Sequence, residues 1–329
     1  MQKLIPAVLV SVILGACGGG GGRSAPAPTP APTLGAINET NQNDVSGISY
    51  DSALLLESIT TFAGAAGVQT SATRAKFDFK SLITLQVAEA REIEFLPATV
   101  VGAITTRTLP CNVSGTYVGT VDDADNSLTP TSGDKVNIVY TNCVTRTPSG
   151  ANITRNGTTS FDFTKLTETE LLATAAYQNL DVLIPATTVS AAFTVKMNGS
   201  ITSSSIFNNA TSTSTDGISI PSLSLASGAE SLTYTNYQLN ESVNTITGAY
   251  IKSGQGTFGA TGLGTFNLST PVPFQGFGSG RPSVGKLKIV GSDATAYVTA
   301  IDTFSAKLEL DKGSDGTIDV TKTAAWGSF

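Results

Sequence analysis

Val113-Ser114-Gly115-Thr116-Tyr117-Val118-Gly119-Thr120-Val121 and Lys135-Val136-Asn137-Ile138-Val139-Tyr140-Thr141-Asn142-Cys143 carry the pattern that decides the fold class. Both runs are rich in β-branched and aromatic residues, alternate apolar with polar positions, and are bounded by Gly, Asp or Asn, as half-buried strands are. Similar segments recur at Leu82 to Val87, Val189 to Met197, Ser231 to Leu239, Lys286 to Val290, Ala306 to Leu310 and Thr317 to Val320. A mainly β fold follows: a large antiparallel curved sheet, or a sandwich or half-barrel, with one short N-terminal helix. That helix is read from Tyr50 to Phe62, where Leu55, Ile59 and Phe62 fall at i, i+4 and i+7, with Ser49 or Asp51 as cap and Gly64 and Gly67 past the end. Thr167-Glu168-Thr169-Glu170 ahead of Leu171 and Leu172 has the form of a capping box, so a short helix is expected to interrupt the sheet there.

Two echoes bear on architecture. Tyr140-Thr141-Asn142 recurs as Tyr234-Thr235-Asn236, which points to two similar lobes, about 48–225 and 226–329. Gly256-Thr257-Phe258 recurs as Gly264-Thr265-Phe266, and Tyr250 and Phe274 extend the same spacing, so strands joined by tight turns would stack these rings in neighbouring rows of a core.

Composition sets the outer bounds. The chain has 329 residues, 40% of them hydrophobic and only 13% charged, enough apolar material for a sizeable core under a Ser- and Thr-rich surface. A net charge of −6 without any run of Lys or Arg argues against a nucleic-acid partner and against adhesion to anionic lipid through basic patches. The chain ends in Phe329, as the strands of membrane barrels often do, yet 7% aromatic content without paired girdles favours a domain in water.

The N-terminus reads as an export signal. Lys3 supplies the positive start, Leu4 to Leu14 form an apolar stretch too short to span a bilayer, and small residues follow. Leu14-Gly15-Ala16-Cys17 resembles a bacterial lipobox. The resemblance implies a signal peptide of residues 1–16, acylation (palmitate) of the Cys17 thiol, and anchoring in the outer membrane, since Gly18 rather than Asp follows the cysteine. Gly18 to Gly22 and the alternating prolines from Pro26 to Pro32 form an extended spacer, and residues 17–47 are assigned on composition to this tether, with the β domain at 48–329.

With Cys17 taken by lipid, Cys111 and Cys143 remain in an exported chain, where thiols pair. A Cys111–Cys143 disulfide would close a loop of about 33 residues, stabilising the fold by on the order of 3–4 kcal/mol. Apolar residues sit at odd positions in the first strand (Val113, Tyr117, Val121) and at even ones in the second (Val136, Ile138, Tyr140), while both cysteines are odd. A β-bulge near Asn142 would reconcile them on one buried face.

Inside that loop Asp123, Asp125, Ser127 and Asp134 occupy positions 1, 3, 5 and 12 of a calcium-loop pattern, with Leu128 where the pattern has Gly. Asp311, Asp315 and Asp319 place ligands at 1, 5 and 9 of a second, less complete pattern. Any calcium held there would be structural, and acidic hairpin turns use the same residues.

The chain has no histidine, which excludes Ser-His-Asp and Cys-His catalysis and His-ligated metal sites. A paired-carboxylate glycan-active enzyme stays open, although nothing sets two of the 25 acidic residues opposite each other. The reading is therefore non-enzymatic.

Pro282-Ser283-Val284-Gly285-Lys286-Leu287-Lys288-Ile289-Val290-Gly291, then Leu308 to Asp311, Asp315 to Asp319 and Trp326, together with the segment around Cys111, Asp125, Gly133-Asp134 and Cys143, resemble a family of Gram-negative envelope lipoproteins. The resemblance implies an envelope lipoprotein with acidic turns and brings no activity with it. Two classes of function lead: a binding or carrier module for an apolar ligand, glycan or envelope protein, facing periplasm or cell surface, and a structural or adhesive surface protein. An apolar cavity on the inward face would mark the first, and a filled core the second.

Overall fold

The computed structural model describes residues 33–54, 59–60, 76–77, 82, 85–86, 89–90, 93 and 104–329, apart from 126, 128–129, 148–149 and 187–191. Cys17 and the part of the expected helix that includes Leu55 and Phe62 lie outside these residues. One helix, α1 (Gln42–Leu54), precedes two short strands, β1 (Ile59–Thr60) and β2 (Lys76–Phe77), which pair with each other. The remaining strands are β3 (Ile104–Pro110), β4 (Ser114–Asp122), β5 (Lys135–Arg146), β6 (Asn152–Leu166), β7 (Glu170–Ile184), β8 (Phe193–Asn208) and β9 (Thr213–Ser227). They continue as β10 (Glu230–Asn244), β11 (Ala249–Ala260), β12 (Gly264–Phe277), β13 (Val284–Val290), β14 (Ala294–Ala300), β15 (Ser305–Lys312) and β16 (Val320–Ala325). These form one curved, open, 14-stranded antiparallel sheet in which every strand pairs with its neighbours in sequence.

Bulges let strands of up to 16 residues keep one face inward on this curved sheet. In β5 the buried positions are Val136, Ile138 and Tyr140, then Cys143 and Thr145. The parity changes at Asn142, whose φ of 46° places it in the left-handed region, and the register shifts there as the strand pattern requires. Asn179 in β7 (φ 47°) and Asn236 in β10 (φ 48°) repeat the device, each two residues after a buried tyrosine, Tyr177 and Tyr234. The Tyr-x-Asn echo thus marks a bulge that recurs along the sheet, and residue 225 falls within the β9–β10 pairing. The backbone N–H groups that the bulges free are captured by the next strand: Asn142 N–H donates to Asn156 Oδ1 (2.7 Å) and Asn179 N–H to Asn198 Oδ1 (2.8 Å). A Cβ on Gly157 (φ 111°) would lie far inside contact distance of the Asn179 carbonyl, so this position of β6 accepts only glycine.

The inward face is filled by side chains. Phe258 and Phe266 stand directly opposite each other, both fully buried, with Phe274 and Tyr250 buried nearby, which is the core row expected from the repeated Gly-Thr-Phe. α1 packs against β11, β13, β14 and β15. Tyr50 of α1 meets Phe274 edge-on at 5.4 Å and Trp326 at 4.7 Å, and Phe329 closes the group against Trp326 at 5.8 Å. The terminal Phe329 is buried and touches the backbone of Gly47. The disulfide Cys111–Cys143 joins the β3–β4 turn to β5, with a Cα–Cα distance of 5.5 Å.

Several local expectations are corrected. α1 begins before Tyr50: the Asn38 side chain caps the turn, accepting from Thr40 N–H (2.9 Å) and Asn41 N–H (3.1 Å), and its carbonyl accepts from Gln42 N–H. Ser49 and Asp51 therefore sit inside the helix, and Ile59 lies in β1. Residues 34–41, which composition assigns to the tether, are tied to the sheet: Gly35 N–H donates to Thr265 O (2.7 Å) and Ser292 N–H to Gly35 O (2.9 Å). In Leu82 to Val87, read as a strand, the described residues Leu82, Leu85 and Gln86 are helical, as are Glu89 and Ala90. The capping-box residues close the β6–β7 hairpin instead, where Glu170 N–H donates to Thr167 Oγ1 (2.9 Å) and Thr167 N–H to Glu170 O (2.8 Å). Thr317 to Asp319 belong to a turn, and the last strand starts at Val320.

Gly157→Ala is expected to lower unfolding stability by about 3 kcal/mol in a denaturant titration, against about 1 kcal/mol for Gly150→Ala, because the first adds a backbone clash to strain at positive φ and the second adds strain alone. Burial also pushes the Tyr50, Tyr140, Tyr177, Tyr234 and Tyr237 hydroxyls above their ordinary 10.0. The native state then holds these protons more tightly than the unfolded one, so the stability they contribute is intact below pH 10 and falls as pH rises above it. Absorbance at 295 nm should show these phenols ionising together with unfolding; ionisation in the native state, with near-UV dichroism unchanged, would contradict the burial.

Candidate functional site

Three places combine polar chemistry with defined geometry. The first is the β4–β5 loop, where the carboxylates of Asp123, Asp125 and Asp134 converge so that one oxygen from each lies within 4.8 Å of the others. Asp134 is fully buried at the start of β5 and accepts from Ala124 N–H (2.8 Å), Thr131 N–H (2.6 Å) and Thr131 Oγ1–H (3.0 Å). Asp123, also buried, accepts from Ser127 N–H (3.2 Å). Asp125 is exposed and accepts from Ser127 N–H and Thr131 Oγ1–H, both at 3.0 Å. Hydrogen bonds from Ser127 and Thr131 hold the Asp125 carboxyl below its ordinary range. Three oxygen donors suit a hard divalent cation such as calcium. The same carboxylates also serve as acceptors that fold the loop on its own N–H groups, and Ser127 enters as a donor to two of them.

The second acidic sequence is arranged differently. Asp311 accepts from Asp315 N–H (3.0 Å) and Gly316 N–H (2.9 Å), Asp315 from Thr317 N–H (2.8 Å) and Asp319 from Lys312 N–H (2.7 Å). Each carboxylate caps part of the β15–β16 turn. Among the described residues only the first trio converges as a set of ligands.

The second place is a buried ion pair that sequence reading gave no sign of. Arg155 of β6 is fully buried and grips Glu89 with both guanidinium nitrogens, Nη1 to Oε2 at 2.6 Å and Nη2 to Oε1. Nη2 also donates to Thr145 Oγ1 (2.6 Å), the guanidinium lies 4.2 Å from the Tyr140 ring centroid, and Tyr140 donates its hydroxyl to Glu89 Oε2 (2.9 Å). Burial and the Glu89 charge keep that phenol protonated. One turn away, Gln86 donates to Thr159 Oγ1 (3.2 Å). The buried described residues Leu82, Gln86, Glu89 and Ala90 are each helical, and Gln86 and Glu89 are fastened to β5 and β6. The charges of this buried cluster are paired, while Arg155 Nε and Gln86 Oε1 have no hydrogen-bond partner among the described residues, and an arrangement of this kind is structural chemistry.

The third place is the outward face. Register aligns Asp122, Lys135, Asp162, Thr174, Thr202, Ser219, Gln238 and Gln255 in one row across β4 to β11. A parallel row holds Thr120, Asn137, Ser160, Ala176, Ser200, Ser222, Thr235, Thr257 and Asn267. These rows are polar where a lipid-facing barrel would carry an apolar band. At the β3–β7 end they border a groove of about 370 Å³, lined by Ile104 and Ala176 together with Asp122, Asn137, Ser160 and Asp162. Lys135 reaches Asp162 at 3.9 Å, an exposed pair that costs little to part.

The chain matches no protein-family model, no curated protein and no solved structure.

Glu89→Ala strands the Arg155 charge in the interior and is expected to cost about 3–5 kcal/mol. Glu89→Gln, which keeps an acceptor for Arg155, should cost less. The two denaturation midpoints, compared with wild type, check this order.

Proposed function

We propose that this chain is a cell-envelope lipoprotein, held to the outer membrane by lipid on Cys17, whose β domain binds a saccharide without chemical change on the outer surface of its sheet. The observation that carries the reading is the groove over β3 to β7. Its apolar side chains suit the C–H face of a sugar ring, and its carboxylates, amide and hydroxyl suit the ring's edge. Its size lies in the range of small-molecule sites. The inward face, where a carrier would hold an apolar ligand, is occupied among the described residues by Tyr234, Tyr237, Phe258, Phe266 and their neighbours. That favours a surface-binding or adhesive role over a carrier. The absence of histidine and the pairing of Glu89 with Arg155 support a site that binds rather than turns over.

The compact unit Thr33–Phe329 should bind oligosaccharides in a calorimetric titration, and Asp162→Asn together with Asn137→Ala should weaken binding by about tenfold or more. Stoichiometric uptake of a fluorescent fatty acid, with no heat from any sugar, would replace this reading with an apolar carrier.

A further inference from the structure

The strands alternate in direction, so the hairpin tips fall into two sets at opposite ends of the sheet. The chain enters at the end that holds the β11–β12 and β13–β14 turns, where Leu34 bridges Thr265 and Ile37 N–H donates to Asp293 Oδ1 (3.1 Å). The opposite end carries the tips of β8–β9, β10–β11, β12–β13 and β14–β15. Neighbouring tips there are stitched together by hydrogen bonds. Thr245 N–H donates to Ser212 O and Gly278 N–H to Gly248 O, both at 2.8 Å, while Trp326 donates to Asp302 O and Phe304 O.

This rim presents large apolar side chains to solvent: Ile246 is 78% exposed, Phe277 69% and Phe304 81%, with Phe207 and Ile301 also exposed. None of them serves the core. Turns are built from Gly, Asn, Asp and Ser, so a phenylalanine or isoleucine at a tip needs a reason outside the fold. The tips are held rigidly. Asn244 Oδ1 accepts from Ile246 N–H (3.1 Å) and Thr247 N–H (2.8 Å), and Asp302 Oδ1 accepts from Phe304 N–H (2.8 Å) and Ser305 N–H (2.7 Å), so each side chain is presented by the same Asx cap. From Asn208 to Thr213, Asn244 to Ala249 and Phe277 to Gly280 the rim carries no charge.

We propose that this rim seats in the interfacial layer of an uncharged lipid bilayer, with Ile246, Phe277 and Phe304 as the inserting side chains. Separate protruding tips set in Ser, Thr, Asn and Gly match a layer that offers apolar depth and polar groups together. A protein partner would instead require a contiguous apolar core patch. Across the four tips the charged side chains are Arg281 and Asp302, which cancel, and a rim without net charge fits zwitterionic headgroups. This goes beyond the groove and does not rest on it.

The chain's one tryptophan, Trp326, bonded to the β14–β15 tip, is a built-in reporter. Thr33–Phe329 is titrated with phosphatidylcholine vesicles bearing brominated acyl chains. Quenching of Trp326 is expected, unchanged by adding anionic lipid or by raising salt. Partitioning should weaken about tenfold for each ring removed in Phe277→Ser and Phe304→Ser, and stay as in wild type for Val113→Ser at the other end of the sheet. Circular dichroism of each variant separates lost insertion from lost folding, and Phe304→Leu should retain most of the binding. No quenching, quenching only with anionic lipid, or equal partitioning by the ring variants would overturn the proposal. So would a dimer in solution that Phe304→Ser dissociates, since that assigns the rim to a second copy of the chain.

Discussion

The structure depends on the left-handed asparagine that interrupts β5, β7 and β10. A curved sheet turns a long strand away from the core, and strict alternation would send every second half outward. One extra residue at Asn142, Asn179 or Asn236 restores the inward set beyond the bend. The device makes two demands on the neighbouring strand: a glycine where the asparagine carbonyl intrudes, and, beside Asn142 and Asn179, an asparagine side chain to accept the freed N–H. Register, core and curvature are therefore set by the same few residues.

Among the described residues the inward face is filled by side chains, and the groove and the rim lie outside it. The buried pair of Glu89 and Arg155 shows how the interior tolerates charge only when each group is answered by several partners. The groove at β3–β7 and the apolar rim use surface positions that the fold leaves free, and they differ in kind. One is an open trough where apolar and charged side chains meet, and the other a row of rigid apolar points.

Much of this was legible in the chain. Alternation of β-branched residues gave the strands, and the change of parity from Tyr140 to Cys143 within one strand required a bulge near Asn142. The disulfide and the trio of Asp123, Asp125 and Asp134 followed from spacing. Other features needed more than local pattern. Leu82 to Val87 is β-branched enough to look like a strand, and its helical character emerges only when Glu89 and Ala90 are read with it. Thr167 and Glu170 make the hydrogen bond of a capping box, but the extended partners on both sides turn it into a hairpin. The groove could not be read at all, since Asp122, Lys135 and Asp162 become neighbours only through register. The Asx-capped tips resemble ordinary turns until their exposure is known.

The sequential pairing of the sheet also governs the order in which the molecule can be completed. Each hairpin closes a short loop, so the strands can zip together from any starting point at small entropic cost. α1 behaves oppositely: it is made first and packs against β11 to β15, so it has no surface to dock on until the last quarter of the chain arrives. A chain delivered across a membrane from its N-terminus would carry the helix as a waiting latch. Phe329 then closes over Gly47, so α1 is enclosed only once β16 and the residues after it are in place.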